Sequence, residues 1–345
     1  MAYRAAVVGG SGYTGAELLR LLAAHPEIDV VHVTADTNAG APVGALYPSL
    51  AAAYATLEYA PFTAADLAGV DVAFIALPHG ESQTIAREAA EHVAHIVDLG
   101  ADFRLPATVY EQWYGRSHTA PDLLDQFAFG LPELFAESVA RGPHVAAPGC
   151  YPTAAALALA PLVAGALVEP KGLVVDAMSG VSGRGRGLSA ASLYSEANEN
   201  VAAYTLLVHR HTGEMEWAIG EAARADVQLL FTPHLVPMTR GLLATCHARP
   251  SGDGLSTASL LDTFRAFYAD APFINVLDEP PLTKATLGSN SAHLTVRFDD
   301  RTGSVLALCA LDNLGKGAAG QAVQSANLVL GLPEATGLPA VGIMP

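Results

Sequence analysis

The chain has 345 residues, with 18 Lys+Arg against 34 Asp+Glu, a net charge of -16, 51% hydrophobic residues and only 15% charged ones. That length suggests about two domains, and the high apolar content with few charges excludes a disordered chain. The acidic balance argues against nucleic acid or an anionic membrane as a partner, since both require clustered Lys and Arg.

The predicted elements begin with an apolar β-branched run, Tyr3 to Val8, followed by a helical pattern from Thr14 to His25 and a second strand from Val30 to Val33. Strand, helix and strand within about 35 residues make a βαβ unit with a right-handed crossover. Val72 to Leu77 and His95 to Leu99 are further strands bracketing a helix over Ser82 to Glu91. This alternation predicts a Rossmann-type parallel sheet, whose ligands lie beyond the carboxyl ends of its strands. Val145 to Val168 runs for 24 residues without a charge, but prolines and glycines interrupt it. It reads as a buried strand, a turn and a helix, not a membrane span.

From about residue 151 the pattern changes. Strand-like runs at Leu173–Met178, Gln228–Phe231, Leu242–His247, His293–Phe298 and Val305–Leu311 follow a helix over Thr153–Val163. They predict an α+β domain with a mixed or antiparallel sheet, and Gly317–Leu330 closes the chain as a helix. The fold expected is therefore α/β followed by α+β. Three cysteines, Cys150, Cys246 and Cys309, cannot build a disulfide framework, which fits a cytoplasmic protein, and no secretion signal is visible.

Four segments carry chemistry. Gly9, Gly10, Ser11, Gly12, Tyr13, Thr14 and Gly15 follow a strand and open a helix, the setting in which glycines let a pyrophosphate approach free backbone N–H groups. Asp36 lies 21 residues after Gly15, where an acid can bond the ribose of NAD; Thr34, Thr37 and Asn38 could instead serve a 2′-phosphate. Cys150, in Pro148-Gly149-Cys150-Tyr151-Pro152-Thr153, starts an apolar helix, whose dipole favours the nucleophilic thiolate. Cys246 and Cys309 fall in strand-like runs and read as core. His209-Arg210-His211-Thr212-Gly213-Glu214 gathers histidines that could exchange protons with that thiol; if extended, His209 and His211 share a face. An H-x-H metal pair finds no third ligand at useful spacing, so no metal is expected. The turn from Ser179 to Gly187 sets Arg184 and Arg186 among glycines as an anion pocket, with Arg104 and Arg240 as weaker candidates.

Taken in order, GGSGYTGAE (Gly9–Glu17), ALPHGES (Ala76–Ser82), VDLGADFRL (Val97–Leu105), GLPE (Gly130–Glu133), PGCYPT (Pro148–Thr153), SGVSGRGR, SEANENV (Ser195–Val201), HRHTGE (His209–Glu214), GSN (Gly288–Asn290) and DNLGKGAAGQ (Asp312–Gln321) cover nearly the whole chain. The sequence resembles the N-acetyl-gamma-glutamyl-phosphate reductases, of the aspartate-semialdehyde dehydrogenase type. The resemblance implies NADP(H), a catalytic cysteine at Cys150, and an acid/base histidine, His209 in preference to His211. It implies cofactor contacts from the glycine turn, Thr34, Asp36, Pro78, Ser182, Gly183 and Asn313, and substrate contacts from Arg104, Arg186, Arg240 and Glu214. It also implies a cofactor domain of 1–149 plus 314–345, a catalytic and oligomerisation domain of 150–313, and a homodimer or homotetramer. The expected activity is NADPH-dependent reduction of an acyl phosphate in arginine synthesis. The alternatives are the same chemistry on a carrier-bound glutamyl or aminoadipyl phosphate, a sugar-phosphate aldehyde dehydrogenase, or a non-catalytic dinucleotide sensor. Gly213 stands where the family usually has proline, and Arg184 where it has a small residue.

Overall fold

A computed structural model describes residues 2–345, which divide into two compact units: 2–148 with 318–338, and 149–317 with 339–345. In the first unit six parallel strands, β1 (Tyr3–Val8), β2 (Ile28–Val33), β3 (Val72–Ile75), β4 (His95–Asp98), β5 (Phe127–Phe129) and β6 (His144–Ala146), lie in the order β2-β1-β3-β4-β6-β5. The chain passes from β1 to β2 on one side and returns to β3 on the other, so β1 and β3 flank the switch in strand order. Helices α1 (Tyr13–Leu22), α2 (Val43–Leu46), α3 (Ser82–Ala89), α4 (Ala107–Tyr114) and α5 (Pro132–Arg141) belong to this unit. Two apolar clusters cover the sheet, one around Val7, Leu18, Val33 and Val323, the other around Ala6, Ile75, Ala86 and Ile96. Successive residues of β1 thus serve opposite faces, as the pleat dictates.

The second unit opens with α6 (Cys150–Ala164), buried at every position from Tyr151 to Val163. Its sheet, β11-β12-β13-β10-β7-β9-β8, contains β7 (Lys171–Gly180), β8 (Ala202–Ala203), β9 (Gln228–Val236), β10 (Leu242–Ala248), β11 (Ile274–Val276), β12 (Ala292–Asp299) and β13 (Ser304–Leu311). β7–β9 and β11–β12 are parallel and the remaining pairs antiparallel, the mixed sheet expected. α6 packs on β10 and β13 and against α8 (His211–Ala223); α9 (Thr257–Phe267) packs on β12; α7 (Tyr194–Ala197) is a single turn. An apolar surface all round is therefore what a helix enclosed by a sheet and a second helix needs. No helix among the described residues is long and apolar enough to cross a membrane.

Two expectations change. The final helix is preceded by a π-turn, Gly315–Ala319, and becomes regular as α10 (Gly320–Val329), which packs against α1 and α5. The last residues were expected with the cofactor domain but lie in the second unit. There Asn290 N–H donates to Pro339 O at 2.8 Å and Ile343 N–H to Leu287 O at 2.7 Å. Unsatisfied backbone groups of the 287–290 loop thus recruit the tail.

Candidate active site

In the first unit the turn after β1 is built by close approach. Gly9 has φ +83°, and a Cβ there would lie 2.6 Å from Ala76 O, so both conformation and space require glycine. A Cβ on Gly15 would meet Gly10 Cα at 2.6 Å, which lets α1 pack onto the turn. At Gly12, the N-cap of α1, the nearest atom to such a Cβ is Gly9 O at 3.9 Å. Space is therefore open where a helix N-terminus attracts an anion, and a dinucleotide pyrophosphate fits it. Gly10 N–H donates to Thr34 O at 2.8 Å and Gly9 N–H to Thr34 Oγ1 at 3.3 Å, tying the turn to the end of β2. Ser11 O accepts Tyr47 OH at 2.9 Å, and α1 begins at Tyr13 and Thr14. Asp36 is exposed, and Pro78 is exposed in the loop after β3. Arg104 is buried in this unit and donates from Nη2 to Leu99 O at 2.8 Å.

In the second unit Cys150 occupies the first turn of α6, after the N-cap Gly149. Thr153 closes that turn, N–H to Gly149 O at 3.0 Å and Oγ1 to the same oxygen at 2.9 Å. Gly149 has φ -71°, which any residue adopts, so its need for glycine is steric: a Cβ would lie 2.5 Å from Cε1 and Nε2 of His211. Gly317 meets the same crowding from the other side, its Cβ position being 2.8 Å from that of Cys150. The imidazole of His211 thus rests on the backbone beside the thiol.

Glu214 was expected to touch substrate. It is fully buried, accepting Gly149 N–H at 3.1 Å through Oε2, with Oε1 3.9 Å from His211 Nε2. One carboxylate therefore ties the cysteine turn to the histidine. The H-R-H segment is not extended: α8 starts at His211, and Arg210 is already in the helical region. His209 faces inward, its ring 4.8 Å from that of His211, and its Nδ1 accepts the His211 N–H at 3.1 Å. Burial, followed by the neighbouring His211, pushes its pKa down to about 3. His209 is thus a neutral acceptor that fixes the start of α8.

Two tyrosines that sequence reasoning passed over complete the cluster. Tyr204 OH donates to Tyr151 OH at 3.1 Å, and Tyr151 OH to His234 O at 3.1 Å. Burial holds both phenols protonated, Tyr204 being raised to about 12, and the nearby Cys150 charge adds to both. Tyr151 had a signal, its place in the cysteine motif; Tyr204 had none.

The arginines separate. Arg184 and Arg186 are exposed in the glycine turn, with Arg184 5.7 Å above the Tyr204 ring. Arg240 is engaged by buried Asp312, Nε to Oδ1 at 3.1 Å and Nη2 to Oδ2 at 2.9 Å. Asp312 also accepts N–H bonds from Gly288, Leu314 and Gly315, so the carboxylate that holds Arg240 also ties these loops. Ser182, Gly183 and Asn313 do meet. Asn313 Nδ2 donates to Ser182 Oγ at 2.9 Å, its Oδ1 accepts Gly241 N–H at 2.8 Å, and a Cβ on Gly183 would approach its Nδ2 to 3.7 Å. Lys316, also passed over, is fully buried in the π-turn.

A glycine turn for an anion in a parallel-sheet unit and a helix-start cysteine beside a histidine in a mixed-sheet unit define a two-domain protein of the semialdehyde dehydrogenase class. Residues 4–141 match the family model "Semialdehyde dehydrogenase, NAD binding domain", and residues 150–313 match "Semialdehyde dehydrogenase, dimerisation domain". Among solved structures, aspartate semialdehyde dehydrogenase II of Vibrio cholerae shares the fold at TM-score 0.72 and 16% identity, covering 96% of this chain and 98% of that one. The Candida albicans aspartate semialdehyde dehydrogenase does so at TM-score 0.70 and 15% identity, covering 96% and 99%. Curated relatives are far nearer in sequence. N-acetyl-gamma-glutamyl-phosphate reductase of Symbiobacterium thermophilum is 47% identical over 99% of both chains, and that of Acidothermus cellulolyticus 47% identical over 100% of both. The chain belongs to the N-acetyl-gamma-glutamyl-phosphate reductase family.

Proposed function

We propose that the protein reduces N-acetyl-L-glutamyl 5-phosphate to N-acetyl-L-glutamate 5-semialdehyde with NADPH, through a thioester on Cys150, in arginine biosynthesis. The observation that carries this reading is the single carboxylate of Glu214 that joins the turn bearing Cys150 to His211. The start of α6 stabilises the thiolate, and His211 holds the proton. His209, kept neutral by burial, orients the backbone of His211 in place of the acid/base role expected of it.

Cys150 Sγ attacks the acyl carbon, and the carbon–oxygen bond to phosphate breaks. The departing phosphate takes the proton from His211, while Arg186 in the exposed glycine turn binds its charge. When bound, the reduced nicotinamide supplies hydride to the thioester carbon. The first turn of α6 stabilises the resulting oxyanion; the carbon–sulfur bond then breaks, the aldehyde leaves, and His211 recovers a proton from solvent. The turn Gly9–Gly15 holds the pyrophosphate, Thr34 supports that turn, and Asp36 and Pro78 border the same end of the sheet. Ser182, Gly183 and Asn313 supply further cofactor contacts, and Arg104 braces the Leu99 loop.

The protein acts as a homo-oligomer in the cytoplasm. Met178 and Leu230 are about half exposed on neighbouring strands, and Leu188 and Tyr194 are exposed in the following segment, an apolar face suited to a second copy. Three free thiols suit a reducing compartment.

The reverse reaction tests the reading. Purified protein with N-acetylglutamate 5-semialdehyde, phosphate and NADP is expected to generate NADPH in a phosphate-dependent way, and faster than NADH from NAD. An NAD preference would mean that Asp36 reads the ribose. No signal with either cofactor from folded protein would refute the assignment.

A further inference from the structure

In the first unit β3 and β4 end side by side, Ile75 opposite Asp98. The chain leaving β3 turns at Gly80, where φ is +91°, before entering α3. A buried carboxylate holds this turn. Asp102 accepts Gly80 N–H at 2.7 Å on Oδ1 and 2.8 Å on Oδ2, Tyr110 OH at 2.8 Å and Ser82 Oγ at 2.9 Å. Asp98 Oδ2 lies 3.1 Å from the same Ser82 Oγ, and both carboxylates are 0% exposed.

A serine hydroxyl has one hydrogen and can donate to one carboxylate only. Its second contact is favourable only if that carboxyl carries a proton and donates. Asp102, which besides Ser82 accepts from two donor groups, Gly80 N–H and Tyr110 OH, is then the charged member, while Asp98, which accepts Gly100 N–H at 2.9 Å, is the one left to carry the proton toward Ser82. The order is Asp98 O–H to Ser82 Oγ, and Ser82 O–H to Asp102.

We propose, on the dinucleotide reading above, that Asp98, Ser82 and Asp102 share one proton that positions the Pro78–Gly80 turn at the ligand end of the sheet, and that its loss weakens cofactor binding as pH rises. These are positioning residues, acting through the turn. Burial, followed by the charge of Asp102, raises Asp98 to about 7, against the opposing pull of Gly100 N–H, Arg104 and Ser82. Above that range two charges would face a hydroxyl that can satisfy one.

The surrounding groups leave Asp98 as the titrating member. On α4, Tyr110 is raised well above its usual range by burial and then by Asp102. His118 bonds the backbone oxygen of Asp102 at 2.7 Å, and Arg116 faces Gly80. From β6, burial lowers His144, whose Nδ1 accepts Ile96 N–H. On α3, Arg87 is paired with Asp122 at the surface, and Glu88 lies beside it in sequence. α10, which packs on β4, brings no titratable side chain.

The test is an NADPH fluorescence titration of the full chain from about pH 6 to about pH 9, beside Asp98→Asn and Ser82→Ala. The wild-type protein is expected to lose about tenfold in affinity across that range. Asp98→Asn, neutral at every pH and still able to donate to Ser82, is expected to keep the low-pH affinity throughout; Ser82→Ala should bind weakly at all pH values. The ligand's 2′-phosphate titrates alike in all three proteins, so the difference belongs to the relay. Equal pH dependence in wild type and Asp98→Asn would overturn the proposal. Infrared spectroscopy tests the proton without ligand: a carboxylic-acid carbonyl band should disappear as pH rises in wild type and be missing from Asp98→Asn. That band unchanged by the substitution would overturn the shared proton, whereas its loss without NADPH binding would sink the dinucleotide reading and the link to affinity.

Discussion

Helices α1 and α6 start alike and serve different ends. Each has an N-cap glycine in extended conformation, Gly12 at φ -78°, ψ 169° and Gly149 at φ -71°, ψ 161°, and neither has a capping side chain. At Gly12 the space is open, with nothing nearer a Cβ than Gly9 O at 3.9 Å; at Gly149 the ring of His211 fills it and Glu214 takes the N–H. One N-terminus is thus left open, as the proposed anion site requires, and the other is occupied by the neighbours of the proposed thiolate. The partial positive charge of a helix start is common to both. The neighbours decide its use.

Alanine at each cap would sharpen this contrast. Gly149→Ala must displace the His211 ring, which can swing away without unfolding the chain, so kcat is expected to fall about 100-fold with NADPH affinity and Tm nearly unchanged. Gly12→Ala puts a methyl into open space at the anion site, so Kd for NADPH should rise about tenfold while stability holds. Steady-state kinetics with fluorescence titration separates the two; equal effects of both substitutions on cofactor affinity would break the comparison.

A separate effect, on stability and not on catalysis, concerns His209. Its pKa is lowered in the fold to about 3 from 6.5, so below pH 6.5 the unfolded chain binds a proton that the folded one does not. Stability from this source is therefore full above pH 6.5 and is lost as pH falls toward 3, by at most about tenfold in the folding equilibrium per pH unit. Urea unfolding of His209→Gln should show a shallower acid decline than wild type, while a parallel decline would remove His209 as its source.

Much of this was legible in the sequence where information is local. Strand-helix alternation, the glycine turn and the Pro-Gly-Cys-Tyr-Pro start of α6 depend on neighbouring residues, and each element formed near its expected place. What escaped depends on partners far along the chain. Arg240 is held by Asp312, 72 residues later, and Glu214 reaches Gly149 across 65 residues. Whether the H-R-H segment is extended was open in the sequence, and the helix beginning at His211, with Glu214 reaching the Gly149 backbone, closes that question. Asp98 and Asp102 carried no sign in the sequence that both would be fully buried. α9 had a local signal, the reciprocal Ser256–Ser259 capping box, that went unread.

The central claim is that Cys150 carries the acyl group. Mixing the protein with N-acetylglutamate 5-semialdehyde and NADP while withholding phosphate should give a burst of about one NADPH per active site and then stop, because the thioester has no acceptor. Intact mass should show one N-acetylglutamyl group on the wild-type chain, released when phosphate is added, and none on Cys150→Ser. Continued turnover without phosphate, or an equal burst from Cys150→Ser, would contradict the account.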